Sequence, residues 1–205
     1  MLFSILLYSL SFSYLNQLLC PIANYETRDY IISSFHAFTT VGLSTLFLLN
    51  IITDVKYIYY CPITIGYAIF DTINLIHHEA NKYNLFIILH HSIIVIGNIW
   101  LILYKDPYVL KILSINYLAE VSTPFLNLSM YLYKNKLTEL SLYNLNIFNI
   151  TSNLLIITYF LFRVVLLTYL VWETAFYNNL YYIQVGLALL NYFWFYKILK
   201  MEKLV

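Results

Sequence analysis

The chain has 205 residues, 61% of them hydrophobic and 10% charged, with a mean hydropathy of +0.73 and a formal net charge of +1. Soluble domains carry about 25% charged residues, so the composition excludes a water-soluble globular protein and predicts an all-α polytopic membrane protein. A near-neutral balance with no basic run excludes nucleic acid as a partner, and Cys20 and Cys61 stand in no metal-ligand spacing.

A helix needs about 20 apolar residues to cross ~30 Å of hydrocarbon. On that measure seven spans are predicted, at 2–20, 31–52, 57–78, 83–104, 112–133, 147–171 and 179–199. The first stretch, Leu2–Leu19, has no basic leader and ends Leu18-Leu19-Cys20-Pro21 rather than in a small-residue cleavage pattern, so it is expected to stay as a span. The connections are short and polar: Asn24–Asp29, Thr53–Lys56, Glu79–Lys82, Lys105–Pro107, Lys134–Asn146 and Trp172–Asn178. None is large enough to house an active site, which places any chemistry inside the helix bundle or at its mouths.

Basic residues set the orientation. Lys56, Lys105 and Lys111 fall on one side; Arg28, Lys82, Lys134, Lys136, Lys197, Lys200 and Lys203 fall on the other. Three against seven puts the C-terminus in the cytosol and the N-terminus outside. Cys20 and Cys61 then lie on opposite faces, so no disulfide is expected between them. The sequon Asn149-Ile150-Thr151 faces the cytosol and stays unglycosylated.

Within the spans sit His36, Asp71, His90, His91, Glu120 and Arg163. A charge at the bilayer centre costs roughly 2.5–3.5 kcal/mol even on lenient scales, so each is a candidate functional residue, or a partner in a pair that holds the bundle together. At a rise of about 1.5 Å per residue, His36 lies about 8 Å inside the cytosolic face, Asp71 about 10 Å, and His90 and His91 about 10–12 Å. The four are expected to converge on one internal cavity open to the cytosol or inner leaflet. Asp71, Asn74 and His78 form a stripe at i, i+3 and i+7; Ser33, His36 and Thr40 form another. Adjacent histidines point about 100° apart and chelate poorly, whereas a helix metal site wants i, i+4 spacing, so no metal is expected. A general base needs only one histidine, with a neighbour such as Asp71 to fix its tautomer. The bland alternative is a packing hydrogen bond between His36 and Asp71, with His90 facing lipid headgroups.

Glu120 and Arg163 both lie about 12 Å from the opposite face, and opposite charges at one depth predict an ion pair. Pro124 follows Glu120 by four residues, so the Glu120 carbonyl should be released from the helix ladder. Thr123 and Asn127 extend the polar stripe from Glu120 along one face.

Four elements then stand in order: Ser33-Ser34-Phe35-His36; Gly66-Tyr67-Ala68-Ile69-Phe70-Asp71; His90-His91; and Glu120-Val121-Ser122-Thr123-Pro124-Phe125-Leu126-Asn127. A fifth, Phe160-Leu161-Phe162-Arg163, fits an aromatic–x–x–Arg element. Together they resemble the TLC-domain family, over residues 30–200. The resemblance implies a domain plan of an N-terminal helix and loop at 1–29, the TLC domain at 30–200 and a short cytosolic tail at 201–205. It also implies a six-helix barrel around a lipid-sized cavity, preceded by one extra helix. In ceramide synthases of this family a histidine doublet is required for N-acylation from acyl-CoA, with two acids about thirty positions later. This chain has Glu120 at the first acid and Thr123 at the second, and its run from Glu120 to Asn127 looks more like the smaller TLC-domain proteins.

The expected function is therefore action on membrane lipids, as acyl transfer from acyl-CoA to a lipid amine or hydroxyl through His90 and His91, with Asp71 and His36 in support. The alternatives are a non-enzymatic lipid-binding, sensing or membrane-composition regulator, and a membrane-protein trafficking accessory. Acyl-CoA would be a co-substrate rather than a bound cofactor, membrane lipids the partners, and a homo-oligomer the candidate assembly in the endoplasmic reticulum. A seven-helix receptor is set aside, since the last span lacks a mid-membrane lysine and the Asp-Arg-Tyr and Asn-Pro-x-x-Tyr switch elements are missing.

Overall fold

Helix caps and breaks in the sequence decide where each rod begins. A computed structural model describes residues 2–78, 84–143 and 145–202; Glu79, Lys82 and Lys203, and the side chain of His78, lie outside the described residues. The helices are α1 (Leu2–Leu19), α2 (Tyr25–Leu48), α3 (Asp54–Ile58), α4 (Cys61–His78), α5 (Asn84–Tyr104), α6 (Pro107–Tyr117), α7 (Thr123–Lys134), α8 (Ile147–Tyr159), α9 (Leu166–Glu173) and α10 (Asn178–Glu202). Asn24 caps α2 by accepting from the Thr27 amide at 2.9 Å, and Asn146 caps α8 by accepting from the Asn149 amide at 2.9 Å. Asp106 does the same for α6 through the Tyr108 amide at 2.8 Å, followed by Pro107 at the first helical position.

These helices assemble into seven rods among the described residues, because α3 leads into α4 and two rods are composite. The segments Leu2–Leu19, Tyr25–Leu48, Leu85–Tyr104 and Ile147–Glu173 are long and apolar enough to cross a membrane on their own. The third rod departs from the expected span at 57–78: α3 ends at Ile58 and α4 starts at Cys61, with Pro62 at its beginning. The fifth, expected as one helix over 112–133, is α6, a 3-10 turn at Leu118–Ser122, and α7. Pro124 sits in the first turn of α7, so the proline ends one helix and starts the next rather than kinking a continuous one. The sixth rod widens into a π turn at Phe160–Val165 between α8 and α9. The connection expected as a loop over 134–146 contains a small hairpin, β1 (Ser141–Leu142) against β2 (Leu145–Asn146), pairing Ser141 with Asn146 and Leu142 with Leu145.

The chain divides into two units, the first Met1–Ile22 with Gly42–Tyr117 and the second Ala23–Val41 with Leu118–Val205. In the first, α1 lies against α4 so closely that a Cβ built on Gly66 would stand 2.7 Å from the Tyr8 Cβ and 2.9 Å from the Ser9 amide nitrogen. Glycine at a helix contact is what allows backbones to approach in lipid. Phe12 packs there between Tyr67 (5.5 Å between centroids) and Phe70 (6.0 Å). In the second unit Leu155, Tyr159 and Ile198 form a buried cluster covered by Phe125, Trp194 and Phe195. The outer face of α1 is apolar and bare, with Phe3 77% and Leu10 66% exposed, as a lipid-facing surface requires.

Candidate functional site

In the first unit, α4 and α5 bring Asp71 and His91 together. The His91 Nε2 lies 3.5 Å from Asp71 Oδ2, and His91 Nδ1 lies 3.2 Å from Thr72 Oγ1. Asp71 is 6% exposed and His91 8%, so both are taken out of solvent together. Tyr67 meets the His91 ring edge-on at 6.1 Å, and the half-buried His90 ring is 5.8 Å away at a tilt. Asp71 and Thr72 are neighbours on α4, yet each reaches a different nitrogen of one imidazole. An ionised Asp71 can only accept, so Nε2 carries the proton toward it and Nδ1 offers a lone pair toward the Thr72 hydroxyl. An imidazole with a carboxylate at one nitrogen and a hydroxyl at the other is the geometry that a general base requires. The 3.5 Å separation is within ion-pair distance and longer than an ordinary N–H···O hydrogen bond.

Asn74, on the same helix as Asp71, is half-buried. His36 belongs to the second unit, where it is buried and its backbone carbonyl accepts from Thr40 Oγ1 at 3.0 Å.

The second unit holds the other polar centre, built on Arg163 in the π turn. Its Nε donates to the Ala119 carbonyl at 3.0 Å and to Ser122 Oγ at 2.8 Å. One terminal nitrogen reaches Asn191 Oδ1 at 3.2 Å; the other reaches Glu120 Oε2 at 3.2 Å and Thr123 Oγ1 at 2.8 Å. The Tyr159 ring lies 5.2 Å from the guanidinium carbon, and its hydroxyl donates to Asn191 Oδ1 at 3.1 Å. The expected pairing of Glu120 with Arg163 is therefore present. The backbone carbonyl that Arg163 takes is that of Ala119, one residue before the carbonyl expected from the position of Pro124. Thr123 donates to Glu120 as its stripe implied, whereas Asn127 turns to α2, donating to the Tyr30 carbonyl at 3.1 Å and Ser34 Oγ at 3.0 Å. Each nitrogen of the Arg163 guanidinium thus has at least one partner within the second unit.

Beside Asn127 an open groove of about 520 Å³ runs between α2 and α7, walled by Tyr30, Ile31, Phe35, Phe38, Leu128 and Tyr131. Lys134, at the end of α7, pairs with Glu26 at 3.1 Å. Burial pulls the Lys134 ammonium down, but Glu26 and Tyr30 outweigh it and hold its pKa above the ordinary lysine range.

Thr72, Ser122, Tyr159 and Asn191 were not singled out in the sequence. Tyr159 stands four residues before Arg163, a spacing that puts both on one helix face. Asn191 is a polar residue deep in the last span, a usable signal. Asn98 is similar: it is fully buried and accepts from the Tyr117 hydroxyl at 2.6 Å.

The sequence profile of the TLC domain matches residues 30–200, which covers all of these polar centres and leaves α1 outside. The chain belongs to the TLC-domain family. No curated protein and no solved structure matches it significantly. Membership makes this TLC-domain protein a multi-pass integral membrane protein, in a family linked to lipid metabolism.

Proposed function

We propose that this TLC-domain protein transfers a fatty acyl group from acyl-CoA to a lipid amine or hydroxyl, with His91 as general base and Asp71 orienting it. The observation that carries the reading is the buried His91 ring held by a carboxylate on one nitrogen and a hydroxyl on the other. His91 Nδ1 takes the proton from the attacking group as the carbonyl carbon is attacked. The imidazolium so formed faces Asp71, which lowers the cost of the charge in a low-dielectric site. The proton then passes to the departing thiolate, leaving the acylated lipid and free CoA. His90, adjacent to His91, would contact the substrate. The decisive experiment compares total lipid profiles of cells expressing the wild type, His91→Ala and His90→Ala. Acyl-chain changes that appear with the wild type and vanish with His91→Ala support transfer.

A second reading, a non-enzymatic lipid binder, is favoured by the groove between α2 and α7, whose apolar walls suit an acyl chain. It predicts that His91→Ala leaves the lipid effect intact, while Phe38→Asp in the groove wall removes it.

Residence in the endoplasmic reticulum with a cytosolic C-terminus completes the proposal. The Glu26–Lys134 pair supports the span count beneath that orientation, since it joins two segments that the basic-residue bias assigns to one face.

A further inference from the structure

Hydroxyls on helices in this protein commonly fold back onto the carbonyl four residues earlier. Thr40, Ser92, Ser114, Thr151, Thr158 and Thr174 all do so, at 2.6–3.0 Å. That back-bond is the default for serine and threonine in a helix. Thr72 takes another partner: its hydroxyl lies 3.2 Å from His91 Nδ1, while Asp71 lies at Nε2. Thr72 is half-buried beside two buried partners, which makes it the most exposed residue of the three. Hydroxyl, imidazole and carboxylate in this sequence are the parts of an activated nucleophile: base within reach of the hydroxyl, third group orienting the base.

We propose that Thr72 is the nucleophile, forming an acyl-threonine ester during turnover, so that transfer runs in two displacements. The proposal rests on the reading of His91 as a base. In the first displacement Thr72 Oγ gives its proton to His91 Nδ1 and attacks the carbonyl carbon of a fatty acyl ester or thioester. The new C–O bond forms as the C–S or C–O bond to the leaving group breaks. The leaving group departs with the proton from Nδ1, as a free thiol or alcohol. In the second, the acceptor amine or hydroxyl loses its proton to Nδ1 and attacks the acyl-threonine. Thr72 Oγ then leaves and takes that proton back. The donor class is a long-chain acyl carbonyl, supplied either by a soluble thioester or by a bilayer phospholipid.

The test uses the full-length protein in phosphatidylcholine vesicles. One arm receives alkyne-tagged palmitoyl-CoA; the other holds phosphatidylcholine with an alkyne-tagged acyl chain. After acid quench, label is read by mass spectrometry of the Thr72 peptide and by its chemistry. An oxygen ester survives neutral hydroxylamine and yields to mild base, whereas an acyl-imidazole or cysteine thioester does not survive hydroxylamine. Expected is label on Thr72 in the wild type and in Thr72→Ser, in whichever arm carries the true donor, and none in Thr72→Val. With the thioester donor, about one equivalent of CoA should also be released per protein before any acceptor is added. His91→Ala should slow labelling roughly a hundredfold. Label on His91, or CoA release by Thr72→Val at the wild-type rate with loss only in His91→Ala, overturns the threonine nucleophile and leaves the base intact. No label in either arm, with unchanged lipid profiles for His91→Ala, overturns both.

Discussion

Arg163 shows what a charge needs in order to persist at membrane depth. Its donors meet two hydroxyls, a carbonyl, an amide oxygen and a carboxylate, and its face meets a tyrosine ring. Removing one charge from such a pair leaves the other buried and uncompensated, at roughly 3–5 kcal/mol. Glu120→Gln and Arg163→Gln should each lower the melting midpoint in detergent, and the double substitution should cost clearly less than the sum of the two. Additive losses would mean the residues do not interact. At the other centre, Asp71→Asn should preserve the melting profile to within about 1 kcal/mol, since an amide still fills the site. It should reduce any His91-dependent acylation by at least about a hundredfold, because the tautomer is no longer fixed. The Glu120–Arg163 pair was legible in the sequence, since two opposite charges stood at one computed depth. Thr72 was not, because a threonine in a span usually returns its hydroxyl to its own helix. Which way it turns depends on the face of α5 that packs against it.

Helix rods were legible from hydrophobic length, and their interruptions only in part. Pro124 marked the fifth span as irregular, but the 3-10 turn also presents the Ala119 carbonyl to Arg163, a contact between distant segments that no local pattern reveals. The π turn at Phe160–Val165 had no local signal, for no proline or glycine occurs in it. Such turns often mark sites under functional constraint, and here the turn carries the buried arginine. The contact of α1 with α4 gives an element-scale prediction. A Gly→Ala change in a helix ordinarily gains up to about 1 kcal/mol. At Gly66 the added methyl meets the Tyr8 Cβ at 2.7 Å and backbone at 2.9 Å, neither of which can swing aside. Overpacking of this kind costs about 1–3 kcal/mol, so Gly66→Ala should be net destabilising in a detergent melt. An unchanged or raised midpoint would show that α1 does not seat on α4 in this way.

For the whole molecule, family, fold class and membrane character were all legible, since periodic apolar lengths and ordered motifs survive without tertiary knowledge. Orientation is a prediction at this scale. A C-terminal tag should be cut by protease added to the cytosolic face of sealed microsomes, and a tag protected there would reverse the assignment. The joining of Glu26 to Lys134 makes the start of α2 and the end of α7 move together in any such reversal. The most direct test of acyl transfer itself is the lipid profile of cells expressing the wild type beside equally abundant His91→Ala. Altered acyl-chain composition with the wild type, returning to the untransfected profile with His91→Ala, is the expected result. Identical effects from the two proteins would contradict a role for the Asp71–His91 pair in catalysis and leave lipid binding in its place.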